Sequence, residues 1–377
     1  MRPLLTVDPA DWRAVRAALR TRLDGDGPAV FPADAADVPP RVDDDVALVI
    51  QTSGSTGRPK RVALSEGALR ASAEATDAAL GGSGQWLLCL SPAYVAGAQL
   101  LVRGLLAGTD TVAGPIGGFE ASRFVRSARD MTHTRRYTSL VPAQLSRLVD
   151  FGESDPEARE AVVRLDAMLI GGQSLPQSVA DRARALGYRI VRTYGSSETA
   201  TGCVYDGRAI GQTRLRTVDG MLEIAGPTLA DGYLDDTELT ATAFHVDEGT
   251  RWYRTGDLAE LDPDGRLRVL ARADDVLISG GVKVALGRVE AVVRELPGLA
   301  DAVVVRAPSA EWGEVPVVVV AGEASASLYE LRTHVGAALG PAARPARLLR
   351  IPALPLLATG KPDRRTLEAV AARDAQQ

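Results

Sequence analysis

Cysteine and histidine are scarce: two and three residues in a chain of 377. Cys89 and Cys203 lie far apart and outside any metal-ligand spacing, which fits a reducing compartment and ordinary buried thiols. His133, His245 and His334 have no metal spacing among them either, so zinc chemistry is not expected. No apolar run approaches the roughly 18–20 residues of a membrane span. The opening MRPLLTVDPADWRAVRAAL has no continuous apolar stretch of the kind a signal peptide needs. Basic excess is absent too. Forty-three Lys and Arg against 48 Asp and Glu give a net charge of −5, the wrong sign for broad nucleic-acid or membrane-surface binding. What remains is a globular composition, 46% apolar and 24% charged, long enough for more than one domain. A cytoplasmic location is expected.

Asp8 is placed to cap a first helix, with Pro9 in its first turn and Trp12, Val15 and Leu19 on one face. A Pro/Asp-rich connector (32–45) leads into the apolar run VALVIQ. Four strand-like segments follow: GQWLLCLSP, RRYTSLVP, LDAMLIGG and YRIVRTYG. Between them lie the helical AGAQLLVRGLLAG, AQLSRLV and PQSVADRARALG. Strands alternating with helices predict a mainly parallel sheet with ligands near the strands' C-terminal ends. From about residue 215 the texture turns to short strands, with DPDG as a hairpin turn. After ARADD comes a compact α+β unit: the helix VALGRVEAVVREL, the strands ADAVVVRA and VPVVVVAG, and the helix SLYELRTHVGAAL. The Pro/Ala/Arg-rich GPAARPARLLRIPALP reads as a connector, and the Ala-rich tail 368–377 as frayed helix. The expected architecture is a large α/β domain (1–273) with mainly parallel sheets and a short β subdomain, then a small α+β domain (274–377).

Residues 51–60, QTSGSTGRPK, carry the first chemical signal. Glycines let backbone N–H groups crowd round an anion, hydroxyls add donors, and a lysine adds charge. The spacing is not that of a Walker loop, because only two residues separate Gly54 from Gly57 and Arg58-Pro59 precedes Lys60. Pro59 also discourages a helix from starting at once. Taken alone, the segment has a polar surface loop as its lesser alternative reading.

Its companions settle the reading. QTSGSTGRPK, YGSSET (194–199), YRTGD (253–257), LARADD (270–275) and ATGKPDRR (358–365) stand in the order of the signatures of the adenylate-forming superfamily. That superfamily comprises acyl-CoA synthetases, luciferases and peptide-synthetase adenylation domains, and the resemblance covers residues 46–365. YTSLVPAQL (137–145), LIGGQSLP (169–176), RTYGSSETATGCVYDG (192–207) and the short segment before the phosphate loop resemble more narrowly the o-succinylbenzoate–CoA ligases of menaquinone biosynthesis.

The resemblance implies two half-reactions at one site. A carboxylate attacks the α-phosphate of ATP, giving an acyl-adenylate and pyrophosphate; the CoA thiol then displaces AMP. ATP, Mg²⁺ and coenzyme A are the implied cofactors and co-substrates. The partners are a small carboxylic acid, ATP and CoA, with no nucleic acid, no stable membrane insertion, and a homodimer as an open option. Thr52, Ser53, Gly54, Ser55, Thr56, Gly57 and Lys60 would embrace the β- and γ-phosphates. Glu198 is the implied Mg²⁺ carboxylate, with Ser197 and Thr199 beside phosphate oxygens and Gly195 in the same segment. Tyr194 offers a face to adenine, and Gly171, Gly172 and Gln173 allow close approach of the nucleotide. Asp257 would take the ribose hydroxyls, reinforced by Arg272. Lys361, the implied catalytic lysine, would reach the α-phosphate from the small domain. Asp274 matches the hinge position about which that domain swings, bringing Gly280, Gly281 and Lys283 to the CoA side. Outside this context a lone Glu198 or Asp257 would read as a turn residue, Tyr194 as core and Lys361 as a solvated cation.

Two positions depart from the superfamily pattern. Tyr94 stands where a histidine is frequent, so histidine proton-transfer roles do not carry over. Ala271 stands where a glycine frequently precedes the arginine. The acid pocket is expected around Tyr94, Gly97, Gln144 and Gly171. A second substrate carboxylate would want Gln144 or Arg147, although Arg147 reads equally as a solvated helix residue. Other aryl- or acyl-CoA ligases, carrier-loading adenylation enzymes and a non-catalytic acyl- or nucleotide-binding protein remain as alternatives.

Overall fold

The computed structural model describes residues 1–33, 35, 38–52, 59–322, 326–356 and 362–374. Its strands form four sheets. In the first, the strands run in the order Gly232–Tyr233, Lys60–Ser65, Val46–Thr52, Ala29–Pro32, Arg2–Val7, Arg41–Val42. Val46–Thr52 is its apolar centre, with residues 46–50 all buried, as a strand covered on both faces requires. This sheet is mixed rather than mainly parallel. Val46–Thr52 pairs antiparallel with Lys60–Ser65, placing Thr52 opposite Lys60. The segment between them is too short for the crossover of a dozen or more residues that a parallel pair needs.

The start of the chain differs from expectation. A strand, Arg2–Val7, comes first, and the helix Trp12–Leu23 is capped by Asp11, whose carboxylate accepts from the Arg13 and Ala14 N–H groups. Asp8 instead closes the preceding turn on Ala10 N at 2.8 Å. Val15 and Leu19 are fully buried, as their shared face implied.

The second sheet follows the alternation read from the sequence. Gln85–Leu88, Arg136–Leu140, Ala167–Ile170 and Ile190–Ser196 lie parallel side by side. The helices Val95–Leu106, Pro142–Ser154 and Gln177–Ala185 connect them. Thr201–Tyr205 then returns antiparallel against Ile190–Ser196. In the third sheet the long strand Thr250–Leu261 pairs with Met221–Ala225, Phe244–Asp247 and Leu267–Arg272. The DPDG turn closes there, Gly265 N donating to Asp262 O at 2.9 Å.

The fourth sheet draws only on strands from Val276 onward. Its core includes Leu277, Val289, Val304, Val318, Leu331 and Val335. Two expectations fail in this region. The supposed connector contains a strand, Arg347–Ile351, parallel to Gly313–Ala321. The tail is a packed helix, Arg364–Asp374, whose Leu367 and Ala371 are fully buried against Val303, Val305 and Val317. Cys89 and Cys203 are free and buried, and burial pushes both thiols up to about 12.

Candidate active site

The C-terminal ends of the parallel strands converge with the ends of two antiparallel pairs from the neighbouring sheets. Ile190–Ser196 leads into a single 3-10 turn, Ser197–Thr199, before returning as Thr201–Tyr205. The return is so close that a Cβ on Gly195 would stand 2.0 Å from Thr201 O. Glu198, on this turn, is 9% exposed. Its Oε1 accepts the Tyr233 hydroxyl at 2.9 Å. Tyr233 pairs with Val62 on the edge of the first sheet, and the ammonium of Lys60 lies 5.4 Å from the centroid of its ring. One tyrosine therefore joins Glu198 to Lys60. Burial, then the charge of Glu198, pushes the Tyr233 phenol upward, so it stays a donor. Thr52 ends its strand opposite Lys60 and donates to Lys60 O at 3.4 Å. Ser53, Gly54, Ser55, Thr56, Gly57 and Lys361 lie outside the described residues.

A second group stands on the same hairpin. Tyr194 donates its hydroxyl to Asp257 Oδ2. Asp257 faces Arg272 across the pair Thr250–Leu261 and Leu267–Arg272, with 3.5 Å between Oδ1 and Nη1. Burial lifts the Asp257 carboxyl above its ordinary range, against the pull of Tyr194 and Arg272. Arg272 also donates to Thr255 O at 3.3 Å and to Asp274 Oδ1 at 3.2 Å. A single guanidinium thus connects Asp257 with Asp274, one turn further along. Tyr194 and Glu198, four positions apart, bind the two groups into one constellation.

The remaining expected residues take varied places. Gly171 follows Ala167–Ile170, and a Cβ there would meet Thr193 Oγ1 at 2.4 Å. Gly172 adopts φ +80° beside an exposed Gln173. Ser197 is half-buried. Thr199 is fully buried, its hydroxyl accepting from Ser196 N at 2.9 Å and donating to Thr201 O at 2.7 Å. Tyr94, half-buried, precedes the helix Val95–Leu106, and burial raises its phenol. Packing alone demands a glycine at 97, where a Cβ would stand 2.2 Å from Ser91 O. Gln144 ties two strand ends together: it accepts from Val141 N at 3.0 Å and donates to Cys89 O at 3.3 Å. Arg147 is exposed and donates to Phe119 O at 3.4 Å, in keeping with its reading as a solvated helix residue. Gly280 and Gly281 make the turn between Val276–Ser279 and Val282–Ala285, with φ of +55° and +82°. Lys283 is exposed beyond it.

Tyr233 was missed in the sequence. A tyrosine between Gly232 and Leu234 has nothing local to distinguish it from core. Among the described residues no group of three or more His, Cys, Asp or Glu side chains could hold a metal. One buried carboxylate, Glu198, does fit Mg²⁺, which keeps water and substrate phosphate oxygens as most of its ligands.

Comparison with known proteins shows the family. The AMP-binding enzyme family matches residues 5–234, and the AMP-binding enzyme C-terminal domain matches residues 288–361. The chain belongs to the AMP-binding enzyme family. A relative from Mycobacterium tuberculosis, named a probable 2-succinylbenzoate–CoA ligase, is 40% identical over 344 residues, spanning 89% of this chain and 88% of its own. The o-succinylbenzoate CoA synthetase of Bacillus subtilis, solved with the acyl-adenylate intermediate OSB-AMP, is 26% identical with a TM-score of 0.76, covering 89% of this chain and 72% of that one. The same enzyme solved with ATP and magnesium is 25% identical with a TM-score of 0.74, covering 89% and 73%. The adenylate-forming fold expected from the motifs is the fold observed. Among the described residues no helix is long and apolar enough to cross a membrane.

Proposed function

We propose that the chain is an ATP-dependent acid–CoA ligase that adenylates 2-succinylbenzoate and passes the acyl group to CoA, in menaquinone biosynthesis. The 40% identity to the M. tuberculosis relative, sustained over 89% of the chain, carries this reading. In the first half-reaction the substrate carboxylate attacks the α-phosphorus and the bond to pyrophosphate breaks. In the second the CoA sulfur attacks the acyl carbon and AMP leaves. The protein forms no covalent bond; it holds anions in line and offsets their charge.

The residues divide the work. Asp257, supported by Tyr194 and Arg272, takes the ribose hydroxyls. Lys60, with Thr52 and the loop 53–57, faces the departing pyrophosphate. Glu198 would hold Mg²⁺ together with phosphate oxygens, and the ion supplies charge neutralisation there. Lys361 supports the carboxylate attack. A boundary at Asp274 lets the small domain turn, withdrawing Lys361 and presenting the Gly280–Gly281 turn and Lys283 to CoA. A cytoplasmic location follows from ATP and CoA as substrates. Sedimentation decides whether the assembly is a homodimer.

The test is AMP release from a panel of aromatic, aliphatic and dicarboxylic acids, with and without CoA. CoA-dependent turnover should be largest with 2-succinylbenzoate. Turnover on benzoates or fatty acids in its absence would overturn the substrate; no AMP with any acid would overturn the reaction.

A further inference from the structure

The turn that carries Glu198 is strained, and a buried polar group lies beneath it. Ala200 and Thr201 adopt φ of 51° and 103°. For a β-branched residue such as Thr201 this is a true outlier, which persists only where the surroundings over-determine it. Two helices provide those surroundings. From Glu66–Leu80, Ser72 Oγ donates to Ala200 O at 2.9 Å. From Val95–Leu106, Gln99 Nε2 donates to the same carbonyl at 3.3 Å and to Leu69 O at 3.1 Å. One turn further along, Arg103 Nη2 donates to Thr201 Oγ1 at 3.0 Å. Ser72, Gln99 and Arg103 are 2%, 0% and 4% exposed.

Arg103 is the costly member. Its guanidinium lies 5.1 Å from the Trp86 ring centroid. Burial opposes its charge and outweighs the support of Tyr205 and Asp77, and no carboxylate stands within salt-bridge distance among the described residues. Burying a cation without a directly paired carboxylate is costly, so the hydrogen bond it makes there carries weight. Its Nη2 makes that bond to the hydroxyl of the strained residue three positions after Glu198.

We infer that Arg103, Gln99 and Ser72 are positioning residues: by holding Ala200 and Thr201 from below, they fix where the Glu198 carboxylate stands. The inference rests on the reading of Glu198 as the Mg²⁺ carboxylate. None of the three needs to touch a substrate. Without them the pair relaxes toward ordinary backbone angles, and Glu198 leaves the place where a phosphate-bound cation can be shared. Thr201 contributes both the strain and the acceptor.

The test compares Arg103→Met, Ser72→Ala, Thr201→Val and Thr201→Ser with Glu198→Gln in the full-length enzyme. Three quantities are read: the Mg²⁺ dependence of ATP–pyrophosphate exchange, thioester formation from a supplied acyl-adenylate, and the thermal shift given by MgATP against that given by AMP. Arg103→Met and Thr201→Val should raise the Mg²⁺ midpoint about ten- to a hundredfold, as loss of a residue supporting a metal ligand does. Their MgATP shift should shrink while the AMP shift, carried by Asp257, and the thioester step persist. Thr201→Ser keeps the acceptor and should restore the Mg²⁺ midpoint. Equal loss of both half-reactions at an unchanged Mg²⁺ midpoint would reduce the group to ordinary core and overturn the inference. If Arg103→Met fails to fold, Ser72→Ala decides on the same readouts, and an unchanged midpoint there overturns the inference. A Glu198→Gln variant with the wild-type Mg²⁺ response would instead overturn the reading of Glu198 itself.

Discussion

Tyr233 donates its hydroxyl to Glu198 Oε1 across 2.9 Å, and the same ring carries the Lys60 ammonium 5.4 Å from its centroid. The phenol edge orients an anion while the ring face steadies a cation, so both charges are fixed by one side chain. Tyr233→Phe keeps the ring and removes only the donor. It should cost about 1.5–3 kcal/mol of stability, the worth of a hydrogen bond to a charged group. Adenylation should fall by about ten- to a hundredfold, as when a metal ligand loses its orienting partner. Urea unfolding and pyrophosphate exchange measure the two effects. Exchange at the wild-type rate would mean that Glu198 needs no such support.

Asp257 holds a charge at a place where burial opposes it. Its folded pKa is raised, with desolvation the largest cause. Such a group leaves stability intact below the unfolded carboxylate pKa, about 4, and stability is lost as pH rises through the folded value. Asp257→Asn keeps an acceptor for Tyr194 and abolishes the charge. The variant should therefore gain thermal stability over the wild type at pH 7, and the gain should vanish on acidification below the ordinary carboxylate range. AMP binding, measured calorimetrically, should weaken at both pH values. A variant less stable at neutral pH would show that the Arg272 and Tyr194 contacts outweigh desolvation.

The parallel sheet was legible because each of its strands is a short apolar run bounded by turn residues. The first strand was not: in RPLLTV half-buried and exposed positions alternate irregularly and none is fully buried, although the strand pairs on both sides. Arg347–Ile351 hid because its flanking prolines and arginines read as a linker, although pairing with Gly313–Ala321 decides its conformation. Motif segments made half of the site readable, since YGSSET alone carries both Tyr194 and Glu198. Composition held a further signal: Lys60, Lys283 and Lys361 are the chain's lysines, every other basic residue among 43 being arginine, and Lys60 and Lys361 each lie in a motif segment. Arginine and lysine are not interchangeable where a compact point charge is needed. Tyr233, Ser72, Gln99 and Arg103 were invisible because tertiary packing, not local pattern, brings them to the turn.

Gly195 should resist every substitution for a reason independent of ligands. An added Cβ would lie 2.0 Å from Thr201 O and 2.7 Å from Gly202 Cα, both backbone atoms of the returning strand. Neither can yield without opening the hairpin that carries Glu198. Gly195→Ala should cost about 1–3 kcal/mol, as overpacking does, and lose adenylation along with it. Gly281 adopts φ +82° with nothing within 4 Å of an added Cβ. Gly281→Ala therefore faces only the left-handed penalty, about 1–2 kcal/mol. Chemical denaturation of both variants checks the contrast, and a Gly195→Ala protein as active and stable as the wild type would refute the close approach.

Lys361 offers the cleanest separation of the two half-reactions. Under the proposed reaction it assists only while carboxylate meets α-phosphate; afterwards the small domain turns and CoA enters from the Gly280–Gly281 side. Lys361→Ala should slow pyrophosphate exchange by about 10²–10³, the size of one lost charge-stabilising donor. Thioester formation from a supplied 2-succinylbenzoyl-adenylate should stay close to the wild-type rate. Lys361→Arg should not rescue exchange, because a planar guanidinium cannot occupy the site of a point charge. Single-turnover assays of each half-reaction distinguish the outcomes. Parallel loss of both would place Lys361 at a step common to them, and the two-orientation scheme about Asp274 would fall with it.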